Sequence, residues 1–404
     1  MRVLMLTPYL PYPLLSGGQI RTYNLLKNLS KKHDITLFAL IKEESEQAYI
    51  TELEKYCTKV MVFKRSEKPF TVKNIITTGF SSFPFLVIRN LVSEVRDAVK
   101  KELQSGQYDL IHAETFYMMP NIPVTSIPVL LVEQTIEYLG YLSYAHSSKF
   151  WFLKPFFYID IHKIRSWEEF FWRNCSRLVV MSTEDKTFLE KTAKSLRIKK
   201  IDVVENGVDV EYFQQTKKKL PKHPTVLFVG TFKWLPNVEA VRYLIQKVWP
   251  LISSKLPTAR LHIVGSSPTD EIYRLAKQDD RIVVSGRVED IREAYATAHV
   301  LLAPIFSGKG TRFKVLEALA TSTPVVATHL AVEGLDIEQG KHVIIANSAE
   351  ELAENTVRVL QDPALQKRLG KNGMELVFKE YNWKNISAKL DRIYSEVGKS
   401  INNH

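Results

Sequence analysis

Short runs of β-branched and other apolar residues alternate with amphipathic helical patterns along almost the whole chain. This alternation predicts parallel β-sheets covered by helices. Such runs occupy residues 3–7, 35–40, 60–63, 110–112, 129–132, 178–181 and 201–204, and the pattern resumes at 226–230, 261–265, 282–285, 300–303, 325–327 and 343–345. A chain of 404 residues is long enough for two cores. We therefore predict two doubly wound α/β domains that face a ligand cleft outside the carboxyl ends of their strands.

The break between the two series of strands lies at residues 211–224, which read EYFQQTKKKLPKHP. Pro221 and Pro224 in this stretch are typical of an interdomain linker, and the lysines at 217–219 are expected to be solvated linker charge. We place the N-terminal domain at residues 1–207 and the C-terminal domain at residues 208–382. From residue 349 to the end the pattern is almost entirely helical.

The charge balance is basic, with 55 Lys and Arg against 44 Asp and Glu and a net charge of +11 spread over both halves. No nucleic-acid motif accompanies it, so phosphorylated substrates or an anionic membrane surface account for the excess better than nucleic acid does. No window holds the roughly 18 consecutive apolar residues of a membrane span. The first residues predict a strand and not a signal peptide, and Cys57 and Cys175 make no disulfide framework. We expect a cytoplasmic protein without a metal site.

The most informative segment for function is residues 299–328, HVLLAPIFSGKGTRFKVLEALATSTPVVAT, where a buried strand enters a glycine-rich loop that opens a helix. Backbone N–H groups at a helix start, together with Arg312 and Lys314, suit a diphosphate. Glu317, one turn further in, suits a ribose diol. The sequence predicts that the loop also contributes Lys309, Gly310 and Thr311, with Thr311 as the helix N-cap.

Other candidate contacts also follow predicted strands. Gly17 and Gly18 open a helix after the first strand, a geometry that suits an anion or a sugar. In SGRVED, at 285–290, backbone groups of Arg287 and Val288 suit the edge of a base, although a plain strand–helix connection capped by Asp290 fits equally well. Candidate sugar contacts at strand ends are His112, Glu114, Glu133 and Glu137. A lone histidine is more often structural than catalytic, and that alternative stays open for His112.

Residues 150–173 are dense in aromatic and basic side chains. This composition fits either an amphipathic surface for lipid or a lipid-linked acceptor, or a buried helix pair. The buried pair is favoured after residue 159, and the two interpretations are level for 150–158.

These motifs together resemble the retaining glycosyltransferases of family 4, which have the two-domain GT-B fold. The resemblance spans nearly the whole chain. It rests on Gly17-Gly18, DLIHAE at 109–114, VVENGVDVEYF at 203–213, VLFVGTFKWLPNVEAVRYL at 226–244, SGRVED, GTRFKVLEALATSTPVVAT at 310–328 and YNWKNISAKLDRIYSEV at 381–397. The sequence is most similar to the branch of bacterial sugar transferases that builds exopolysaccharides and cell-surface glycans.

The resemblance implies transfer of a sugar from a UDP- or GDP-sugar to a hydroxyl of a glycan or lipid-linked acceptor, with retention of configuration and without a cofactor or metal. It also implies that the final helix, from about residue 383 to 404, crosses back to the N-terminal domain. The position of Glu317 matches the ribose-binding Glu of the family's E-x7-E motif, and that of Val288 matches the backbone contact to the base. The enzyme would be cytoplasmic, with peripheral attachment to the inner face of the membrane as a further expectation.

The sequence departs from the family pattern at several site positions. Lys309 stands where the first Glu of E-x7-E is expected, and Thr231 and Pro236 replace an Arg and a Lys. The resemblance therefore implies that Arg312 and Lys314 take over the phosphate contacts, with Lys233 as a third candidate. The family's His-x-His motif, whose second His is linked to catalysis, has His112 in first place and Glu114 in second. The resemblance thus implies a catalytic role for His112 and Glu114, together with Arg312 and Lys314.

Two alternatives remain at this stage. One is a nucleotide-sugar epimerase of the same architecture, which would need no acceptor. The other is a subunit that binds nucleotide or glycan without catalysis, which the substitutions at Lys309 and Glu114 keep open.

Overall fold

Buried strands form the centre of both halves of the molecule. In the computed structural model, which describes residues 1–66, 68, 70–147, 151–193, 198, 200–308 and 310–399, the described chain divides into two compact units. One unit comprises Met1–Glu205 and Ile386–His404, and the other comprises Asn206–Asn385. The predicted boundaries lie within three residues of these.

The N-terminal unit contains a parallel seven-stranded sheet in the order β3-β2-β1-β4-β5-β6-β7. Its strands are β1 Arg2–Thr7, β2 Asp34–Ile41, β3 Lys59–Lys64, β4 Leu110–Glu114, β5 Val129–Glu133, β6 Arg177–Val180 and β7 Ile201–Val203. Its helices are α1 Gly17–Leu29, α2 Ile50–Leu53, α3 Val72–Phe80, α4 Phe85–Asn90, α5 Ser93–Ser105, α6 Glu137–Ser147, α7 Lys154–Asn174 and α8 Thr183–Ala193. The strand order reverses direction at β1 and β4, which is the point where a doubly wound sheet places its ligand.

The second unit contains a parallel six-stranded sheet in the order β10-β9-β8-β11-β12-β13. Its strands are β8 Thr225–Val229, β9 Arg260–Val264, β10 Ile282–Gly286, β11 Val300–Ala303, β12 Val325–Ala327 and β13 Ile344–Ile345. Its helices are α9 Val210–Gln214, α10 Leu235–Tyr243, α11 Trp249–Lys255, α12 Asp270–Ala276, α13 Ile291–Ala296, α14 Phe313–Ala320, α15 Ala349–Gln361 and α16 Pro363–Glu380. A π-helical turn, Leu244–Val248, joins α10 to α11.

All four residues of β11 are fully buried, as is typical of a parallel strand with helices on both faces. The predicted fold class, two Rossmann-like α/β domains, is confirmed. The last helix, α17 Trp383–Lys399, belongs from Ile386 onward to the N-terminal unit. There Asp391 pairs with Lys32 and His33, and Glu396 pairs with Arg177 and Lys200.

The linker predicted at 211–224 is wrong, because the division between the units falls at Glu205 and Asn206 and α9 occupies the start of that stretch. Lys217, Lys218 and Lys219 are exposed, as the sequence predicts, but the ammonium of Lys218 also has acceptors within the protein. This ammonium donates to the carbonyls of Tyr295 at 2.8 Å and Ala298 at 3.1 Å and to Oγ1 of Thr323 at 2.5 Å. Desolvation of the ammonium among these acceptors lowers the pKa of Lys218 to about 7, although the side chain as a whole is exposed.

Candidate active site

The loop between β11 and α14 is the structural centre of the candidate phosphate site. Gly308 and Gly310 both have positive φ angles, 89° and 91°, which favour glycine. A Cβ on Gly308 would lie 2.9 Å from Cγ of Pro236, so the loop also packs tightly against the start of α10. Lys309, which the sequence placed in this loop, lies outside the described residues.

Arg312 occupies the N-cap position of α14. The prediction that Thr311 caps this helix is therefore wrong, since the helix begins one residue later and no side chain caps it. The Arg312 guanidinium donates from Nη2 to the carbonyls of Ser307 at 3.1 Å and Gly308 at 2.8 Å, which fixes the shape of the loop. Burial lowers the pKa of Arg312, and the charge of Glu333 opposes that shift. Thr311 instead accepts a hydrogen bond from Nδ2 of Asn206 at 3.1 Å.

Lys314 lies in the first turn of α14 and is almost wholly buried. Its ammonium donates to Oδ1 of Asn237 at 2.8 Å and lies 4.3 Å from the centre of the Phe228 ring. Burial, followed by the nearby charge of Arg312, lowers the pKa of Lys314 to about 7, while Glu317 opposes the shift. A cation held in this way gains from the arrival of an anion, because the anion's charge favours the protonated ammonium.

Glu317 lies one turn further along α14 and accepts a hydrogen bond from the hydroxyl of Tyr295 at 2.7 Å. Burial raises the pKa of Glu317, whereas Tyr295 and Lys314 lower it. The structure thus places Lys314 and Glu317 on one short helix and Arg312 at its N-cap.

The remaining predicted contacts of the second unit lie at loops that follow β8 and β10. Lys233 and Arg287 are exposed, and Val288 is half-buried. Asp290 caps α13, because its Oδ1 accepts the backbone N–H of Arg292 at 2.9 Å. The simple strand–helix connection proposed for SGRVED is therefore present, and a base contact at Arg287 and Val288 stays a prediction.

In the N-terminal unit, the predicted pair His112 and Glu114 lies on β4 and is fully buried. Nε2 of His112 lies 3.1 Å from Oε1 of Glu114, and Nδ1 is hydrogen-bonded to the Tyr394 hydroxyl of α17. Burial alone would raise the pKa of Glu114, but the His112 hydrogen bond and charge and the charge of Arg21 lower it below its ordinary value. The catalytic role assigned to this pair stays a prediction, and the geometry adds a structural role.

The buried network continues from Glu114 to the start of α1. Nε2 of Gln134 donates to Oε2 of Glu114 at 2.8 Å and to the hydroxyl of Tyr9 at 2.6 Å. A Cβ added to Gly18 would lie 2.6 Å from that hydroxyl and 2.9 Å from Oε1 of Gln134. Gly18 is therefore required by close packing, and Ser16 caps the helix that Gly17 begins. A sugar or anion contact at the two glycines stays a prediction.

Two other buried carboxylates, Glu133 at the end of β5 and Glu168 within α7, accept hydrogen bonds from the protein itself. Oε1 of Glu133 accepts the indole N–H of Trp172 at 2.9 Å. Glu168 accepts the backbone N–H groups of Glu137 at 2.7 Å and Tyr138 at 3.1 Å at the start of α6. Burial raises the pKa of Glu137 to about 7 and raises those of Glu133 and Glu168 well above their ordinary range.

Sequence reasoning missed Asn237, Tyr295 and Tyr394, each of which contacts a predicted site residue across a large sequence separation. Asn237 in particular binds Lys314 through Oδ1 and donates from Nδ2 to the carbonyl of Thr231 at 2.8 Å. It lies next to Pro236, the position where the family pattern led us to look for a lysine. Thr115, just after Glu114, has a φ angle of 72°, which is a strained conformation for a β-branched residue. No sequence pattern predicts this conformation.

Within the described parts of the chain, no three His, Cys, Asp or Glu side chains are grouped as a metal site would require. No described helix combines the length and apolarity needed to cross a bilayer.

Two parallel Rossmann-like units of this kind define the GT-B class of glycosyltransferase folds. Comparison with family models agrees: residues 15–212 match Glycosyltransferase Family 4, and residues 223–362 match Glycosyl transferases group 1. The two matches together take in most of the chain, which belongs to the glycosyltransferases.

Relatives of known sequence and structure point the same way. The chain is 25% identical to a phosphatidyl-myo-inositol mannosyltransferase of Mycobacterium leprae, over 76% of this chain and 78% of that protein. It is 23% identical to the capsular polysaccharide biosynthesis glycosyltransferase CapM of Staphylococcus aureus, over 47% of this chain and 53% of that one.

Two solved structures are similar over almost their full length. Sucrose-phosphate synthase from Thermosynechococcus elongatus has a TM-score of 0.72 at 18% identity and covers 99% of this chain and 100% of its own. The Anabaena protein HepE, solved with UDP and glucose, has a TM-score of 0.66 at 16% identity, with 98% and 100% covered. At these identities the likeness concerns the fold alone.

Proposed function

We propose that this protein is a retaining glycosyltransferase that moves a hexose from a UDP- or GDP-sugar to a hydroxyl acceptor in the synthesis of a cell-surface polysaccharide or glycoconjugate. The observation that carries the proposal is the start of α14, where Arg312, Lys314 and Glu317 meet a loop shaped by two glycines with positive φ angles. The named relatives support the class of reaction, since they include a mannosyltransferase and a capsular polysaccharide glycosyltransferase.

In the proposed reaction the acceptor hydroxyl attacks the anomeric carbon on the face of the leaving group. The bond from that carbon to the diphosphate oxygen breaks, the bond to the acceptor oxygen forms, and a donor phosphate oxygen takes the hydroxyl proton. The diphosphate leaves with added negative charge, which Lys314, Arg312 and the positive end of α14 stabilise. No metal is needed for this step, and Glu317 binds the ribose hydroxyls.

Lys314 fits this role because its ammonium is bound by a neutral amide and its pKa is already lowered. Removal of one such contact to a leaving group costs on the order of a hundredfold or more in rate. Arg312 contributes in two ways, by its charge and by the two carbonyl bonds that shape the loop.

The proposal also covers the setting of the reaction. We expect a cytoplasmic enzyme, peripheral on the inner face of the membrane, that acts on a glycan or a lipid-linked acceptor. The relatives described above give no support to the epimerase alternative.

The first test is a thermal-shift screen of the wild-type protein against UDP, GDP and ADP, followed by UDP- and GDP-sugars. A ligand that binds only the native state raises the melting temperature, and we expect this for one of the uridine or guanosine series. Proton NMR of the product then gives the anomeric configuration, which should equal that of the donor. Inversion would contradict the retaining mechanism.

A second test separates transfer from the alternatives. Incubation with the donor alone should leave its sugar unchanged, whereas an epimerised donor would favour the isomerase. Nucleotide binding without transfer to any acceptor in a membrane or glycan extract would favour a non-catalytic subunit. Turnover that persists with a chelator present agrees with a metal-independent reaction, and its loss on chelation would contradict it.

A further inference from the structure

Helix α3 presents an apolar face to the outside of the N-terminal unit. Val72, Ile75, Ile76 and Phe80 are all exposed, up to 93% for Phe80, and their spacing places them on one side of the helix. Asn74 is the only residue of α3 that is buried. This is the reverse of an ordinary surface helix, which buries its apolar side. We call these four residues the α3 face.

A helix of nine residues is marginal in water unless its apolar face is packed. The protein itself packs the opposite side of α3 through Asn74, and Thr71 caps the first turn by accepting the backbone N–H of Asn74 at 3.1 Å. The outward face therefore lacks the packing that stabilises most helices. A surface that covers it would supply that packing.

A second exposed apolar group lies at the start of α7 and in the turn before it. It consists of Trp151, Phe152, Phe156 and Ile159, with Trp151 exposed to 77%. We call it the α7 face. It falls within residues 150–158 and the next turn, where sequence reasoning left a lipid surface and a buried helix level. The exposure favours a surface, whereas Ile161, Ile164, Phe171 and Trp172, further along, are buried.

Hydrogen bonds join the end of α3 to α7, next to the α7 face. The Lys163 ammonium donates to the carbonyls of Thr78 at 2.6 Å and Ser81 at 2.8 Å, at the end of α3. One turn earlier on α7, Asp160 accepts the backbone N–H of Phe85 at 2.9 Å, and the Phe85 ring stacks on exposed Phe70 at 5.1 Å.

The segments that contain the two faces carry basic but no acidic side chains. Residues 68–93 and 138–159 contain no Asp or Glu, although 44 of the 404 residues are acidic and a stretch of that combined length would ordinarily hold about five. Lys68 and Lys73 are exposed beside the α3 face, and Lys154 begins α7. Exposed aromatic and aliphatic side chains next to lysines match an anionic lipid surface. Asp160, which follows Ile159, is half-buried and accepts the Phe85 N–H.

We propose that the α3 face and the α7 face dock together on an anionic lipid bilayer, with their side chains in the boundary between headgroups and acyl chains. Lys68 and Lys73 then lie near the lipid phosphates. A second copy of this chain fits less well, because a two-fold contact would bring the same lysine-bearing segments against each other. The surface is independent of the transferase activity and extends the membrane contact predicted from residues 150–158 to α3.

The test is co-sedimentation of the full chain with phosphatidylcholine vesicles, with and without phosphatidylglycerol, in the absence of donor and acceptor. We expect binding to the anionic vesicles that weakens as salt is raised. The double variant Ile76→Ser, Phe80→Ser should bind at least about tenfold more weakly. The matched control Phe378→Ser removes an exposed phenylalanine from α16 and should bind as the wild type does.

A second pair of variants tests the charge. Lys68→Glu with Lys73→Glu should weaken binding to anionic vesicles, whereas Lys255→Glu with Lys277→Glu, at exposed positions of the other unit, should have little effect. All substituted side chains are exposed, so melting temperatures near that of the wild type should accompany each result.

Several outcomes would overturn the proposal. These are no binding of the wild type to anionic vesicles at low salt, equal binding to neutral vesicles, or wild-type binding by the double variant. A dimer in solution that the Phe80 substitution dissociates would assign the surface to a second copy instead. Vesicle binding needs no turnover, so a failure here and a failure of the transferase assignment are separate results.

Discussion

The two clusters of charged residues described above differ in how their charges are balanced. On β4, the Glu114 carboxylate accepts hydrogen bonds from His112 and Gln134 and lies in the field of Arg21, and its pKa is lowered. On α14, Lys314 is bound by a neutral amide, and burial lowers its pKa to about 7. The protein itself favours the charged form of Glu114, whereas burial disfavours the charged form of Lys314, which a bound anion would restore. We therefore assign the first cluster a structural role and propose that the second is a binding site.

The largest effect should come from removing the carboxylate of the β4 cluster. Glu114→Ala removes the larger of the two carboxylate charges near buried Arg21, the other being Glu205, and deprives His112 and Gln134 of their shared acceptor. We expect the free energy of unfolding to fall by about 3–5 kcal/mol, as when one partner of a buried ion pair is removed. Urea denaturation measures it.

Two controls make that result specific. Glu114→Gln keeps the shape and one acceptor and should cost less, while Glu350→Ala changes an exposed glutamate of α15 and should cost almost nothing. A Glu114→Ala protein as stable as the wild type, with normal turnover, would remove the distinction drawn between the clusters.

The opposite pattern is expected at α14. Lys314→Met keeps the length and the apolar packing on Phe228 but removes the buried ammonium. Turnover should fall roughly a hundredfold or more, because a contact to the leaving group is lost. The free energy of unfolding should stay level or rise, since burying an amine is costly. Steady-state kinetics and urea denaturation of the same preparation give both numbers.

The exposed Lys277→Met is the matched control and should change neither quantity. If Lys314→Met lost stability and activity in parallel, the lysine would be a structural residue like Glu114. Near-normal turnover would place the diphosphate elsewhere.

Gly18→Ala tests how closely Tyr9 and Gln134 of the β4 network pack against the start of α1. The new methyl group would lie 2.6 Å from the Tyr9 hydroxyl, so the network must shift, and we expect a loss of about 1–3 kcal/mol in the free energy of unfolding. Gly140→Ala, in α6 where a Cβ meets nothing within 4 Å, should instead stabilise by about 0.5–1 kcal/mol. Equal changes in thermal stability at the two positions would show that the predicted close contact is absent.

The same two clusters show which parts of the structure can be predicted from the sequence. The strand β11 and the grouping of Arg312, Lys314 and Glu317 follow from local signals: an apolar run, glycines and helical spacing. Tyr394 on His112 and Asn237 on Lys314 join residues 282 and 77 positions apart, and no local pattern encodes such contacts. For the same reason the sequence does not show that the ammonium of Lys218 has three acceptors, which are distant carbonyl and hydroxyl groups.

A pH profile of nucleotide binding gives the smallest but most specific effect. The folded-state pKa of Lys314 lies at about 7, below its ordinary 10.5, and a bound diphosphate raises it again. Above pH 7 the free protein has lost this proton, so binding must take one up and affinity should fall as pH rises. The affinity can fall by at most about tenfold per pH unit, which corresponds to about 1.4 kcal/mol of binding free energy. Between about pH 7.5 and 9 the phosphate itself no longer titrates, since its second pKa is near 6.

Isothermal titration calorimetry with the nucleotide that binds, in buffers of different ionisation enthalpy, measures both the affinity and the proton uptake. The wild type and Lys277→Met should show the same slope, and Lys314→Met should show almost none. Loss of the slope together with weaker binding at pH 7 would assign the proton to Lys314. A slope that survives in Lys314→Met would assign the proton to another group. The charge of Lys314 would then be compensated by the protein itself, like that of Glu114 in the β4 cluster.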